Sequence, residues 1–321
     1  MKSQEASTPW QKAFSIGIIA FVIVCFCYMF AVEAQGLTIN FDYRFDTQGM
    51  FAAAERREAF EAAADIYTDF GDQLSELSPG GGNSWSLSVT RPDGAGSAVV
   101  DNLQVAADSI TVFVGGWSFH PSVLGWAGNG QITSVNGTQQ WQDTVFARGQ
   151  TGALADRPTD FGPWGGAITF NSSVNWHFDT LTTPQAGQQD FFTTAMHELG
   201  HILGFGEAAS WFAQVQGSVQ DGWTFAGTQS VAQFGDVVPL DGSASHWAEG
   251  ISDFYLGIAQ ETAMDPSTPS GVRQYMTDLD YAGLADIGWE VPEPSSLMLF
   301  SLSAWLAVRR RPVPGKRFGK R

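Results

Sequence analysis

Apolar and polar residues alternate through Ile39, Phe41, Tyr43 and Phe45, the two-residue period of a half-buried strand. From Phe51 to Leu77 the period changes. Phe60, Ala63, Ile66, Tyr67, Phe70, Leu74 and Leu77 recur at three and four residues, with Glu55, Arg56, Arg57, Glu58 and Glu61 gathered early and Pro79 followed by a glycine run at the end. That spacing predicts a long amphipathic helix. The segments Trp85 to Val89, Ile110 to Val114 and Ala167 to Asn171, separated by stretches rich in Gly, Asn and Asp, predict further strands. A second helical stripe follows in Phe192, Ala195, Met196, Leu199, Ile202 and Leu203. Thr193 or Asp190 can cap its start, and Gly204 and Gly206 allow the chain to leave with positive φ. With no internal repeat or low-complexity linker in the body, this order predicts an α+β domain with one sheet and a helix packed across it.

Both ends of the chain carry apolar runs. The first, residues 14–32, follows Lys2 and Lys12 and precedes Glu33 and Ala34. Basic start, apolar run and small residues at the end predict a signal peptide, residues 1–34, cleaved after Ala34; an uncleaved anchor is the alternative. At the other end stand Pro292, Glu293 and Pro294, an apolar run over residues 295–308, and Arg309, Arg310 and Arg311. Fourteen helical residues cover about 21 Å of a hydrocarbon core about 30 Å thick, short for a stable span. This tripartite tail, residues 291–321, resembles the PEP-CTERM sorting signal of Gram-negative bacteria. The resemblance implies Sec export, an exosortase as processing partner, a transient transmembrane helix as anchor, and an extracellular or cell-surface destination.

Charge sharpens this division. The 321 residues carry a formal −17, but residues 35–308 hold seven Arg, no Lys and 31 acidic residues, a net −24. Such a body repels phosphates and excludes nucleic acid and anionic lipid as partners. Cys25 and Cys27 both lie in the first apolar run, so a mature form without it has neither a disulfide nor a thiolate metal site.

The chemistry is concentrated in His197-Glu198-Leu199-Gly200-His201. On a helix, residues four apart lie one above the other, so His197 and His201 can direct ring nitrogens to one Zn²⁺ while Glu198 reaches a water on it and serves as general base. A catalytic zinc takes three protein ligands and keeps one position open. Two residues compete for the third place. His246, 45 residues beyond His201, is favoured; Glu207 stands where the extended motif HExxHxxGxxH has its last histidine.

At these residues the chain resembles the metzincin zinc peptidases. His197 to Phe205, then Ser245-His246-Trp247, then Ala263-Met264 follow the leishmanolysin-like order, and Gly165 to Phe170 is similar to the substrate-binding edge strand of matrixins. The resemblance implies a zincin with a twisted, mostly parallel sheet, a long helix and an active-site helix. It also implies a smaller C-terminal subdomain with a Met-turn at Met264 and a terminal helix. Within a peptidase domain of residues 35–290, the upper part runs to about 206 and the lower covers 207–290. The implied activity is a secreted zinc endopeptidase acting on protein or peptide. A non-catalytic exported binding protein on the same scaffold is the competing expectation, against which the intact Glu198 argues. Ca²⁺ in the acidic, Gly-rich stretch from Asp156 to Gly166 is a further possibility, and His120 and His177 stay unassigned.

Overall fold

The computed structural model describes residues 36–291. The expected signal peptide and the Pro292-Glu293-Pro294 tail lie outside these residues. Strands β1 (Thr38–Asp42), β2 (Ser84–Thr90), β3 (Ser97–Asp101), β4 (Ser109–Trp117), β5 (Gly125–Gly128), β6 (Gln131–Asn136) and β7 (Gly165–Asn171) build the first half with helices α1 (Ala54–Ala64) and α2 (Gln139–Ala147). After the two-residue strands β8 (Trp176–His177) and β9 (Gln189–Asp190) come α3 (Phe191–Ile202) and α4 (Ala209–Phe212). The remainder comprises β10 (Val215–Ser218), β11 (Gly222–Phe225), α5 (Thr228–Phe234), β12 (Val238–Pro239), β13 (Ser252–Tyr255), β14 (Ile258–Glu261) and α6 (Asp278–Asp286). This is a mixed α+β architecture with several sheets.

The central sheet has the order β1-β4-β7-β5; β1, β4 and β7 run parallel, and β5 is antiparallel to β7. Strand alternation sends Val112, Val114, Ile168 and Phe170 into a core shared with α1 and α3, while Phe113 and Ala167 face a second core formed with β2, β6 and α2. Burial on both faces explains why β4 and β7 read as continuous apolar runs. It also corrects the expectation for Gly165 to Phe170. That segment is an interior strand flanked by β4 and β5, and the edge strand on its side of the sheet is β5.

The long helix expected over Phe51 to Leu77 is also shorter. α1 stops at Ala64 and gives way to one 3₁₀ turn, Asp65–Tyr67. Beyond it, backbone groups are taken by tertiary partners: the Gly71 amide donates to Glu290 O, Ser75 to Arg148 O, and Leu77 exchanges bonds with Val105. Phe70, Leu74 and Leu77 still face the core, so the apolar pattern served burial without requiring a helix.

At this junction Asp72, 6% exposed, accepts the Glu290 amide at 2.8 Å. Burial, with Glu290 and Asp160 nearby, pushes its carboxyl from 3.8 to about 6. A carboxyl that holds its proton more tightly when folded stabilises fully below the unfolded value and loses that contribution as pH rises through about 6. Asp72→Asn is therefore expected to raise Tm at pH well above 6 and to leave it near wild type at pH close to 4. Thermal melts at the two pH values check this; an equal change at both refutes it.

Candidate functional site

Helix α3 begins at a built anchor. Asp190, fully buried, caps it by accepting from the Thr193 amide at 3.1 Å and from Thr193 Oγ1 at 2.7 Å. Arg273 clamps the same carboxylate with contacts of 2.7 and 2.9 Å. Asp190, one of the two caps foreseen, does the capping, and Arg273 is a partner the sequence did not reveal. The apolar stripe from Phe192 to Leu203 is buried against the sheet and α1. At the other end Gly204 and Gly206 adopt φ of +99° and +70°. A Cβ at Gly206 would overlap the Ser245 carbonyl, so this glycine lets the segment that carries His246 come down onto the end of the helix.

Three imidazoles meet there. His201 Nε2 lies 3.0 Å from His197 Nε2 and 3.0 Å from His246 Nε2. Each ring is turned by its other nitrogen: His197 Nδ1 faces Ala263 O at 2.7 Å, His201 Nδ1 faces Phe205 O at 2.8 Å, and His246 Nδ1 faces Asp241 Oδ2 at 3.4 Å. An Nδ1–H donated to an acceptor leaves the Nε2 lone pair free toward the common point, the arrangement in which imidazoles hold a metal. Nitrogens bound tetrahedrally to zinc at about 2.0–2.1 Å are separated by about 3.3 Å, so the donor set fits Zn²⁺ in type, number and spacing. Burial pushes His197 down to about 3 and His201 well below its usual value, keeping both neutral at physiological pH.

Glu207 lines the same cleft but is not in the group of mutually close ligand atoms, whereas His246 is. His246 is held by a loop in which Asp241 Oδ1 accepts from the Ser245 and His246 amides, and Ala244 takes a φ of +61°. Trp247 then locks the loop: its amide donates to Met264 O at 3.1 Å, and its ring packs among Phe205, Trp211 and Phe225. Asp156 and Asp160 do not join any metal-like group among the described residues. His120 and His177 bond locally, to Ser122 and Thr182, and neither joins the group of three histidines.

Met264 is fully buried beneath α3, where a Cβ added to Gly200 would come within 2.7 Å of its sulfur. The glycine inside the motif thus makes room for the methionine. The turn that carries Met264 also supplies Ala263 O to His197. Asp280, near the start of α6, organises this turn from below. Its buried carboxylate accepts from Trp247 Nε1 at 3.0 Å, the Ala263 amide at 2.9 Å, the Met264 amide at 3.2 Å, and the amide and hydroxyl of Thr277 at 2.8 Å each. Thr277-x-x-Asp280 is a capping box, readable from sequence as a helix start, though its link to the histidines is not.

The histidines open into a cleft of about 470 Å³, lined on one side by Leu124, Gly125, Trp126 and Ala127 of the sheet edge. Glu198 also lines it, 5% exposed, with its carboxylate against Gly125: a Cβ there would stand 2.8 Å from Oε1. Burial, with Glu207 nearby, pushes Glu198 up to about 8.

Residues 290–311 match the PEP-CTERM protein-sorting motif. The motif marks the chain for export, with sorting and anchoring through the C-terminus and processing by an exosortase. No curated protein and no solved structure matches the chain. No helix among the described residues is long and apolar enough to cross a membrane.

Proposed function

We propose that this chain is an exported zinc-dependent endopeptidase of metzincin type, with His197, His201 and His246 holding the metal and Glu198 as general base. The carrying observation is the convergence of three Nε2 atoms, each ring turned by an acceptor on Nδ1, in a cleft that also contains a buried carboxylate. Zn²⁺ bound there would polarise a scissile carbonyl and bring the pKa of a bound water to about 7.

The protein's own residues supply the rest. Glu198 sits in the cleft to take the proton of the attacking water and to pass it to the leaving amine. A nearby dication favours the ionised carboxylate, which draws Glu198 down from the value set by burial. Beside it, β5 has one edge paired with β7, and the cleft runs along Leu124 to Ala127. An extended peptide laid against that edge would gain main-chain hydrogen bonds and be held in the open form that attack requires. Two walls thus divide the work between binding the substrate backbone and transferring protons.

Zinc stoichiometry and casein cleavage test the proposal and the ligand choice together. Wild type and Glu207→Ala are expected to bind one zinc, whereas His246→Ala is expected to lose zinc and activity. Full zinc in His246→Ala with loss in Glu207→Ala would reverse the assignment; no zinc in wild type would end the proposal.

A further inference from the structure

Asp265 follows Met264 and is 2% exposed, yet only one of its two oxygens is bonded: Oδ1 accepts the Ser267 amide at 3.3 Å, while the buried Oδ2 has no hydrogen-bond partner among the described residues. Glu249, from the loop before β13, and Glu261, at the end of β14, bring carboxylates to the same place. One oxygen from each of Glu249, Glu261 and Asp265 lies within 4.8 Å of the other two. Among the described residues no basic side chain forms an ion pair with any of the three. Three carboxylates therefore meet, one of them buried with one oxygen that no donor reaches, without a positive counterpart.

A counter-charge would relieve the cluster, because the buried Asp265 meets two like charges, of which Glu261 is half-buried and Glu249 exposed. A shared proton would join only two carboxyls and cancel one charge. The third is also held in position, since Ser267 Oγ donates to Glu249 Oε1 at 2.6 Å. A hard cation with bonds of about 2.3–2.6 Å to oxygen accepts ligands up to about 5 Å apart, which covers all three. We infer that Glu249, Glu261 and Asp265 form a cation site that takes Ca²⁺ and ties the β13–β14 hairpin to the turn behind Met264. The raised carboxyl of Asp265, pushed to about 8 by burial and by Glu261 and Glu249, is what such a site looks like without its counter-charge. Because Asp265, Pro266, Ser267 and Thr268 line the cleft, the ion would also stiffen one of its walls.

The test uses the full chain at constant zinc, with Ca²⁺ alone as the added ligand and Tm as readout near neutral pH. Wild type is expected to gain several degrees, saturating in the range of about 0.1–1 mM Ca²⁺ expected of an extracellular site. Glu261→Gln and Glu249→Gln are expected to lose the gain. Glu249 is exposed, so its variant should fold whatever the cost at Glu261. No gain in wild type, or an undiminished gain in both variants, overturns the site. A rise on acidification to which Ca²⁺ adds nothing assigns the cluster to a shared proton and also overturns it. An equal gain with Mg²⁺ overturns the choice of ion. Zinc content, measured on the same samples, reports separately on the peptidase proposal, so either can fail alone.

Discussion

Glu198→Gln is expected to reduce kcat on casein or a peptide by about 10²–10⁴-fold, equivalent to about 3–5 kcal/mol of barrier, while zinc content stays at the wild-type level. The amide keeps the shape of the side chain and its packing against Gly125 but cannot accept the water proton. Because Glu198 is buried, with its carboxyl pushed to about 8, a neutral amide fits the site without loss of folding stability. Lost kcat with unchanged zinc and an undiminished Tm is the signature of a base. Activity that survives the change would sink the mechanism; activity lost together with zinc or fold would make Glu198 a structural residue.

Asp280→Ala should have the largest effect on stability, about 3–5 kcal/mol, although the residue touches none of the three histidines. Its carboxylate receives five hydrogen bonds from four residues, and alanine would leave Trp247 Nε1 and the Ala263, Met264 and Thr277 amides buried without an acceptor. Of these donors, Trp247 belongs to the loop that carries His246, and Ala263 and Met264 to the turn whose carbonyl orients His197. Zinc affinity is therefore expected to fall by about 10–100-fold, the usual loss when an outer support of a metal site is removed. Urea melts and competition with a zinc chelator measure the two effects. Asp280→Asn retains an acceptor oxygen and should lie between wild type and alanine in both. A stability loss with unchanged zinc affinity would show that Asp280 serves the fold alone.

Parts of the molecule decided within a few residues were legible in the sequence. The four-residue separation of His197 and His201 is helical geometry, and the Asp190 cap, the apolar stripe and the two exit glycines all act within one or two turns of α3. β4 and β7 were legible because their apolar runs match what two buried faces need, and β2 because Trp85, Leu87 and Val89 fall on one buried face. The same pattern misled over Phe51 to Leu77, where the spacing promised a helix. There, Glu290, Arg148 and Val105, all distant in sequence, took the backbone hydrogen bonds.

Chain separation marks the limit. HExxH spacing needs only local geometry, so the pair of histidines and the intervening glutamate were specified within the stretch from Asp190 to Gly206. Whether His246 or Glu207 comes to the histidine pair depended on closing a 45-residue excursion, which is governed by Gly206 against Ser245, the Trp247 ring in its aromatic nest and the bond from Trp247 to Met264. Likewise, strand composition could not say whether β7 or β5 forms the edge, because hydrogen-bonding neighbours are assigned by topology. Asp280 and the trio Glu249, Glu261 and Asp265 looked like ordinary acidic residues in a chain rich in them. Packing removed some from water and brought others together, and burial is what turns a common carboxylate into a buttress or a ligand.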